Sequence, residues 1–285
     1  MDQKKGNNNT MNVKTANCLF AIATIVILCA ASPSHASDLA IPLELGEPNF
    51  FGVGIGGYPD YFGSDDYTFG GAPIGKIMIG DERFIKIVVN DVKVNLIDHK
   101  NWRFGPGLFY RFGRDEDVDD EQVAMLEEID GALNLGAWGG YTWRDPDNSR
   151  LQFGVSGWTY WDVSDATDNG WTVGANAWGL VPVATPVSLG FGAGTTWGND
   201  DYTSTYFGVS QKGAMVSGLP AFDAGSGMRD IRIWAVGILH LSKKWHAGAG
   251  LLYSRMLGDA ADSPIVDERG SKDQWIYGIG MLYSW

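Results

Sequence analysis

The chain closes with Gln274-Trp275-Ile276-Tyr277-Gly278-Ile279-Gly280-Met281-Leu282-Tyr283-Ser284-Trp285, and the reading of this stretch decides the fold class. Counting back from the end, Trp285, Tyr283, Met281, Ile279, Tyr277 and Trp275 take every second position, with Ser284, Gly280, Gly278 and Gln274 between them. Side chains alternate across a strand, so this period puts all six large apolar groups on one face. An apolar face opposite small and polar residues is what a membrane-spanning strand needs, with lipid on one side and a lumen on the other. The row stops on its own last member, an aromatic end that resembles the C-terminal signal read by the barrel-assembly machinery. These six residues are therefore expected to act as the assembly signal.

Upstream, the same alternation recurs. From Val187 to Trp197 one face is Val, Leu, Phe, Ala, Thr and Trp, and the other is Ser, Gly, Gly, Gly and Thr. Trp171 to Val181 and Trp245 to Tyr253 repeat it. Such a pattern fits a soluble sandwich, apolar face inward, or a membrane barrel, apolar face outward. Two features favour the barrel. The second face is Gly and Ser where a water-exposed surface would carry Lys and Glu. Aromatics such as Trp102, Tyr141, Trp161, Trp197 and Trp245 fall near strand ends, where interfacial girdles lie. The 39 Gly and 12 Trp of the composition suit an antiparallel barrel for the same reasons.

Strands are expected near 50–59, 68–80, 83–97, 102–113, 130–144, 149–163, 170–182, 186–198, 203–210, 229–242, 244–256 and 272–285. The expected fold is all-β, a closed antiparallel transmembrane β-barrel of about 12 strands, with about ten as the fallback because 203–210 is the weakest strand. With both ends in the periplasm, loops near 59–68, 211–228 and 257–271 face outside. By the same parity the acidic stretch 114–129 faces the periplasm.

The N-terminus reads as a cleavable leader, residues 1–36. Lys4, Lys5 and Lys14 form a basic region, Cys18 to Ala31 a short apolar run, and Ser34-His35-Ala36 a small-x-small cleavage pattern. The remaining 37–285 is expected to be one barrel domain. Both cysteines, Cys18 and Cys29, fall in the leader, so no disulfide holds the barrel. The leader carries three Lys and one Asp, net +2, so its removal takes the chain from −13 to −15. That acidity excludes nucleic acid as a partner, since its phosphates want a basic face. Outer-membrane lipid and lipopolysaccharide are the expected surroundings.

Several segments in chain order resemble the MipA/OmpV family of outer-membrane barrels, the MltA-interacting protein and its relatives. Tyr58-Pro59-Asp60-Tyr61-Phe62-Gly63-Ser64-Asp65-Asp66-Tyr67 matches the family's first-loop motif, and Gly105-Pro106 with Tyr110-Arg111-Phe112-Gly113-Arg114-Asp115 the next. Tyr206-Phe207-Gly208-Val209-Ser210, Gly218-Leu219-Pro220 and the block from Tyr253 to Val266 follow. Trp285 departs from the pattern, where many relatives end on Phe. The resemblance implies an outer-membrane protein without enzymatic activity or cofactor. It implies a scaffold that joins a murein lytic transglycosylase to a peptidoglycan synthase. A small-solute channel, or an outer-face binding or adhesion protein, is the alternative.

Candidate chemistry is sparse. His240 and His246 flank a tight turn at Ser242-Lys243-Lys244 and share lumenal parity, as a metal-binding or proton-responsive pair would; the plainer reading is two packed histidines at a barrel mouth. Asp60, Asp65 and Asp66, and separately Asp259 and Asp262, could offer oxygens to Ca²⁺, although no EF-hand spacing is present and a solvated loop is the plainer reading. His99 beside Asp98, near an expected outer turn, is the one rim pair an enzyme could use, but adjacent strand residues point to opposite faces. Arg103, Arg111, Asp91 and Lys93 share lumenal parity with Trp138, Trp158, Tyr160 and Trp178, so charges and rings compete to fill the interior.

Overall fold

A computed structural model describes residues 46–285. The expected leader and the residues up to 45 lie outside the described residues. Twelve strands close into one antiparallel barrel in which each strand pairs with its sequence neighbours and the first pairs with the last. They are β1 (Phe50–Pro59), β2 (Tyr67–Met78), β3 (Phe84–Val88), β4 (Asp91–Asn95), β5 (Trp102–Arg111), β6 (Ala132–Arg144), β7 (Gln152–Asp162), β8 (Trp171–Ala184), β9 (Val187–Gly198), β10 (Gly227–His240), β11 (Trp245–Met256) and β12 (Asp273–Ser284). The seam is regular, with Phe50 opposite Ser284 and Gly57 opposite Tyr277. Closure leaves no strand edge without a partner strand, which a bilayer demands because it offers backbone groups no water.

The terminal row faces outward as its alternation predicts. Trp275, Tyr277, Ile279, Met281 and Trp285 are exposed, while Gln274, Leu282 and Ser284 are buried inside. Outward aromatics gather in two belts. Trp102 with Tyr141 and Trp245 with Tyr283 mark one end; Trp161, Trp171 and Trp197, and Tyr253 with Trp275, mark the other. Two such girdles bound the apolar band of an outer-membrane barrel.

Inside, glycines make floors for rings. A side chain at Gly174 would put its Cβ 2.2 Å from the Trp158 ring, and one at Gly154 would come within 2.5 Å of Trp178. The lumenal glycines thus answer to large rings on neighbouring strands. Phe50, Trp178, Leu180, Trp234, Ile238, Leu252 and Leu282 form one inner cluster, and Phe84, Phe109, Trp138, Trp158 and Tyr160 another.

Two strand expectations are corrected, and they offset one another in the count. The stretch 83–97 is a hairpin, β3 and β4, turning at Val89 and Asn90 with Val88 opposite Asp91. Its turn carries no Gly or Pro, and Val89 takes φ 57°, a region β-branched residues avoid. Neighbouring strands hold it there: Val89 donates its N–H to Pro73 and Asn90 bridges to Tyr110. The stretch 203–210 is not a strand. It lies mostly in α1 (Asp200–Phe207), because Asn199 caps the helix by accepting from the Tyr202 N–H, and Asp200 and Asp201 sit in the first turn where the helix dipole favours them.

These changes invert the chain direction between the two points. The connections at 79–83, 96–101, 145–151, 185–186 and 241–244 are short and share one end with Trp285. The long connections at 60–66, 112–131, 163–170, 199–226 and 257–272 share the other. Bacterial barrels keep short turns in the periplasm and long loops outside. Residues 114–129 therefore belong to the outer end, not the periplasmic one, and His99 belongs to the periplasmic rim, not an outer turn.

Candidate functional site

At the outer end the loops fold onto one another. They carry α1, α2 (Gln211–Ser217), α3 (Gly258–Asp262), α4 (Pro264–Asp267) and a 3-10 turn at Val123–Met125. Ser210 caps α2 by accepting from Gly213, and Gly218 ends it at φ 78°, the left-handed conformation glycine tolerates. Tyr61, Val118, Val123, Leu126, Val209, Leu219 and Ile265, drawn from four loops, form a shared apolar core. Ser64 bridges Gly270, and the Asp119 N–H donates to Asp60.

The acidic candidates of the first loop meet further acids here. Asp66 has its pKa raised by burial and then by Asp65, Asp119, Asp60 and Asp120. Asp120 behaves differently: burial opposes its charge, but Arg269 and the N–H groups of Val123 and Gln122 outweigh that and hold its pKa below the usual carboxylate range. Arg114, which donates to the Tyr206 carbonyl, is pushed down to about 10 by burial. Asp259 lies apart from this cluster, accepting from the Gly225 N–H at 2.7 Å, and Asp262 pairs with Lys272 at 3.3 Å. So the five aspartates do not converge; Asp60 and Asp259 tie separate loops together, and Asp262 holds its own loop through Lys272. Among the described residues no three His, Cys, Asp or Glu side chains are set to hold a metal ion.

The periplasmic rim is a polar knot. Asn95, fully buried, donates to the carbonyls of Glu82 and Ile97 and accepts from the Phe104 N–H. Arg103 donates to the carbonyls of Lys100, Trp102 and His99 and pairs with Glu82 at 3.0 Å. Arg144 meets the same carboxylate oxygen at 3.2 Å. Glu82 thus ties the turn 79–83 to the turn 96–101 and to β6. His99 accepts the N–H groups of Asn101 and Trp102 on Nδ1, and Asp98 accepts from Glu82. They hold two different turns and make no dyad. Asp81, Arg83 and Lys100 are exposed around the knot.

On the far side of the same end the histidine pair is brought together. His240 and His246 are direct cross-strand partners with Nδ1 atoms 2.8 Å apart. The outer nitrogens meet Ser188 and Ser284, each at 3.0 Å, so a four-residue polar chain crosses β9 to β12. One Nδ1 must donate and the other accept, which leaves neither free as a metal ligand while the contact stands.

Sequence reasoning placed Arg111, Asp91, Lys93 and the four inward rings correctly on the lumen. Arg111 donates to Asn134 and Thr172, and Tyr160 donates to Asp91 at 2.7 Å. It missed Lys76, Lys86 and the buried group Arg229–Asp230–Arg232, in which both arginines lie 2.7 Å from the Asp230 carboxylate. Asp230 and Arg232 share a face by parity within β10, a signal the sequence carried, whereas Arg229 joins them through the irregularity at Met228/Asp230 and Lys76 meets Lys86 only through the register of two strands.

The model of a family described as MltA-interacting protein MipA matches residues 51–285. The outer membrane protein OmpV of Vibrio cholerae serotype O1 (strain ATCC 39315 / El Tor Inaba N16961) is 29% identical over 126 residues, 44% of this chain. That match spans 47% of OmpV's length. Among solved structures, the NanC porin is 12% identical with a TM-score of 0.47, over 82% of this chain and all of that one. An outer membrane channel from Pseudomonas putida F1 gives a TM-score of 0.45 at 12% identity, over 87% of this chain and 99% of the other.

Proposed function

The chain belongs to the MltA-interacting protein MipA family, and from that premise we propose that this outer-membrane barrel is a non-enzymatic scaffold whose periplasmic rim holds a murein lytic transglycosylase and, through it or beside it, a peptidoglycan synthase. The family's name speaks of such a partner. A partner in the periplasm needs a surface on that side, which the 114–129 segment does not offer.

The observation that supports the rim is the Glu82 knot. Arg103 and Arg144 share the Glu82 carboxylate, and Asn95 and His99 satisfy the turn backbones around it. Turns held this way lose little further freedom when a partner docks, and lost freedom is a large part of what association costs. Exposed Asp81, Arg83, Asp98 and Lys100 offer charges of both signs for orientation and register.

Photo-crosslinking tests this. A crosslinking residue at Lys100 is expected to capture a periplasmic lytic transglycosylase in intact envelopes, and one at Met215, on the opposite end, to capture none. Capture from Met215 with silence at Lys100 would overturn the proposal.

A further inference from the structure

One turn of the periplasmic rim differs in charge from the rest. The connection 241–244, Leu241-Ser242-Lys243-Lys244, joins β10 to β11. Other short connections that carry cations also carry acids: Arg83 follows Asp81 and Glu82, Lys100 follows Asp98, and Arg150 follows Asp145 and Asp147. The turn at Thr185-Pro186 has no charge. Only 241–244 among the described short turns holds cations without a carboxylate, in a chain with 34 acidic residues against 21 basic ones. Both lysines are exposed, and among the described residues neither forms an ion pair.

The turn is held firmly against the terminal strand. The Ser242 hydroxyl accepts the N–H groups of Lys244 and Trp245. Ser284 donates its hydroxyl to the Lys243 carbonyl and its N–H to the Lys244 carbonyl. Lys244 leans over the lipid-facing row of β12, its Nζ 3.3 Å from the Tyr283 hydroxyl and 5.7 Å from the centre of that ring. Tyr283 also meets Trp245 edge-on at 5.1 Å and stacks with Trp285 at 6.4 Å. Trp245 and Trp285 are each about half exposed on the outside of the barrel. Three rings of the periplasmic girdle therefore form a platform with an ammonium group on its middle member. Amphipathic rings settle at headgroup depth, and a lysine beside them extends its charge to the phosphates. A cation on an exposed ring gains little from it, so the ammonium keeps most of its charge for another partner.

We propose that the Lys243–Lys244 turn and the Trp245–Tyr283–Trp285 platform bind one anionic phospholipid of the periplasmic leaflet. The two ammonium groups hold its phosphate, and the rings pack on its glycerol and first acyl carbons. The leaflet follows from the short turns facing the periplasm. The lipid then ties the β10–β11 turn and the end of β12 to the bilayer.

The test uses the leader-free chain folded in dodecyl maltoside, titrated separately with dioleoyl phosphatidylglycerol and dioleoyl phosphatidylcholine and read by native mass spectrometry. Saturable retention of one phosphatidylglycerol per chain is expected, with phosphatidylcholine held more weakly. Lys243→Gln with Lys244→Gln should weaken Kd for phosphatidylglycerol about tenfold or more, since each lysine near an anionic headgroup contributes roughly a factor of five. Lys212→Gln, at the outer end, should leave it unchanged. If the double variant does not fold, Lys243→Gln alone takes its place, with about a threefold loss expected. Equal retention of the two lipids would overturn the proposal. So would displacement of phosphatidylglycerol by inorganic phosphate at the lipid's own concentration, or unchanged binding in the folded lysine variant.

Discussion

Asp120 and Arg269 stand 149 residues apart in the chain, yet both Nε and Nη2 of Arg269 donate to one Asp120 oxygen, at 2.9 and 2.6 Å. The contact joins the loop after β5 to the loop before β12 over the outer mouth. Asp120 also accepts the N–H groups of Gln122 and Val123, starting the 3-10 turn that seats Val123 in the loop core.

Asp120→Asn should therefore loosen this cap without opening the barrel. Arg269 is partly exposed, so solvent screens the pair, and the expected cost is about 1–2 kcal/mol of local stability. Hydrogen exchange in 112–131 should rise while exchange in the strands stays unchanged.

The same carboxylate sets a pH dependence. A depressed pKa means Asp120 contributes stability that is complete above its unfolded value of about 4 and lost as pH falls through the folded value. Limited proteolysis of the cap should accelerate below about pH 4 in the native chain. Asp120→Asn should remove that acid-dependent part.

Packing of rings on glycine can be tested at Gly174. A Cβ there would lie 2.2 Å from the Trp158 ring and 2.8 Å from the Thr195 carbonyl oxygen. Gly174→Val should cost about 1–3 kcal/mol or more by overpacking. Adding Trp158→Ala should recover only the share that comes from the ring, since the backbone contact remains. A double-mutant cycle by urea unfolding in micelles measures the coupling.

The β3–β4 turn gives a change of opposite sign. Val89→Asn replaces a β-branched residue at φ 57° with one that tolerates the left-handed region. The barrel should gain about 0.5–1 kcal/mol against urea.

That turn also explains how far the fold was legible. Lumen and lipid faces followed from period-two alternation, and the outward row ending at Trp285 stood as expected because residue parity is local information. Strand direction is cumulative. From Ile85 to Val94 no Gly or Pro marks the reversal and Asn90-Asp91 is its one turn signal, since the turn is held by Pro73 and Tyr110 on other strands. The helix at Asp200 was signalled by Asn199-Asp200-Asp201, but the aromatic spacing of Tyr202, Tyr206 and Phe207 reads as a strand as readily. Missing one reversal and adding one strand preserved the count of twelve and inverted only the segment between them. The histidine pair was visible because one short turn joins its strands. The cross-strand alignment of Lys76, Lys86 and Lys93 was not, because it needs the register of three strands.

Orientation is the claim on which the rim-based scaffold depends, and cysteine labelling in intact cells tests it most directly. Cys18 and Cys29 both precede the described residues and fall in the expected leader, so an introduced cysteine in the barrel reports alone. Met215→Cys on α2, where Met215 is 80% exposed, should react with a membrane-impermeant maleimide on whole cells. Lys100→Cys, on the periplasmic rim, should react only after the outer membrane is permeabilised. The reverse pattern, with Lys100→Cys labelled from outside and Met215→Cys protected, would contradict the orientation and the rim-based scaffold with it.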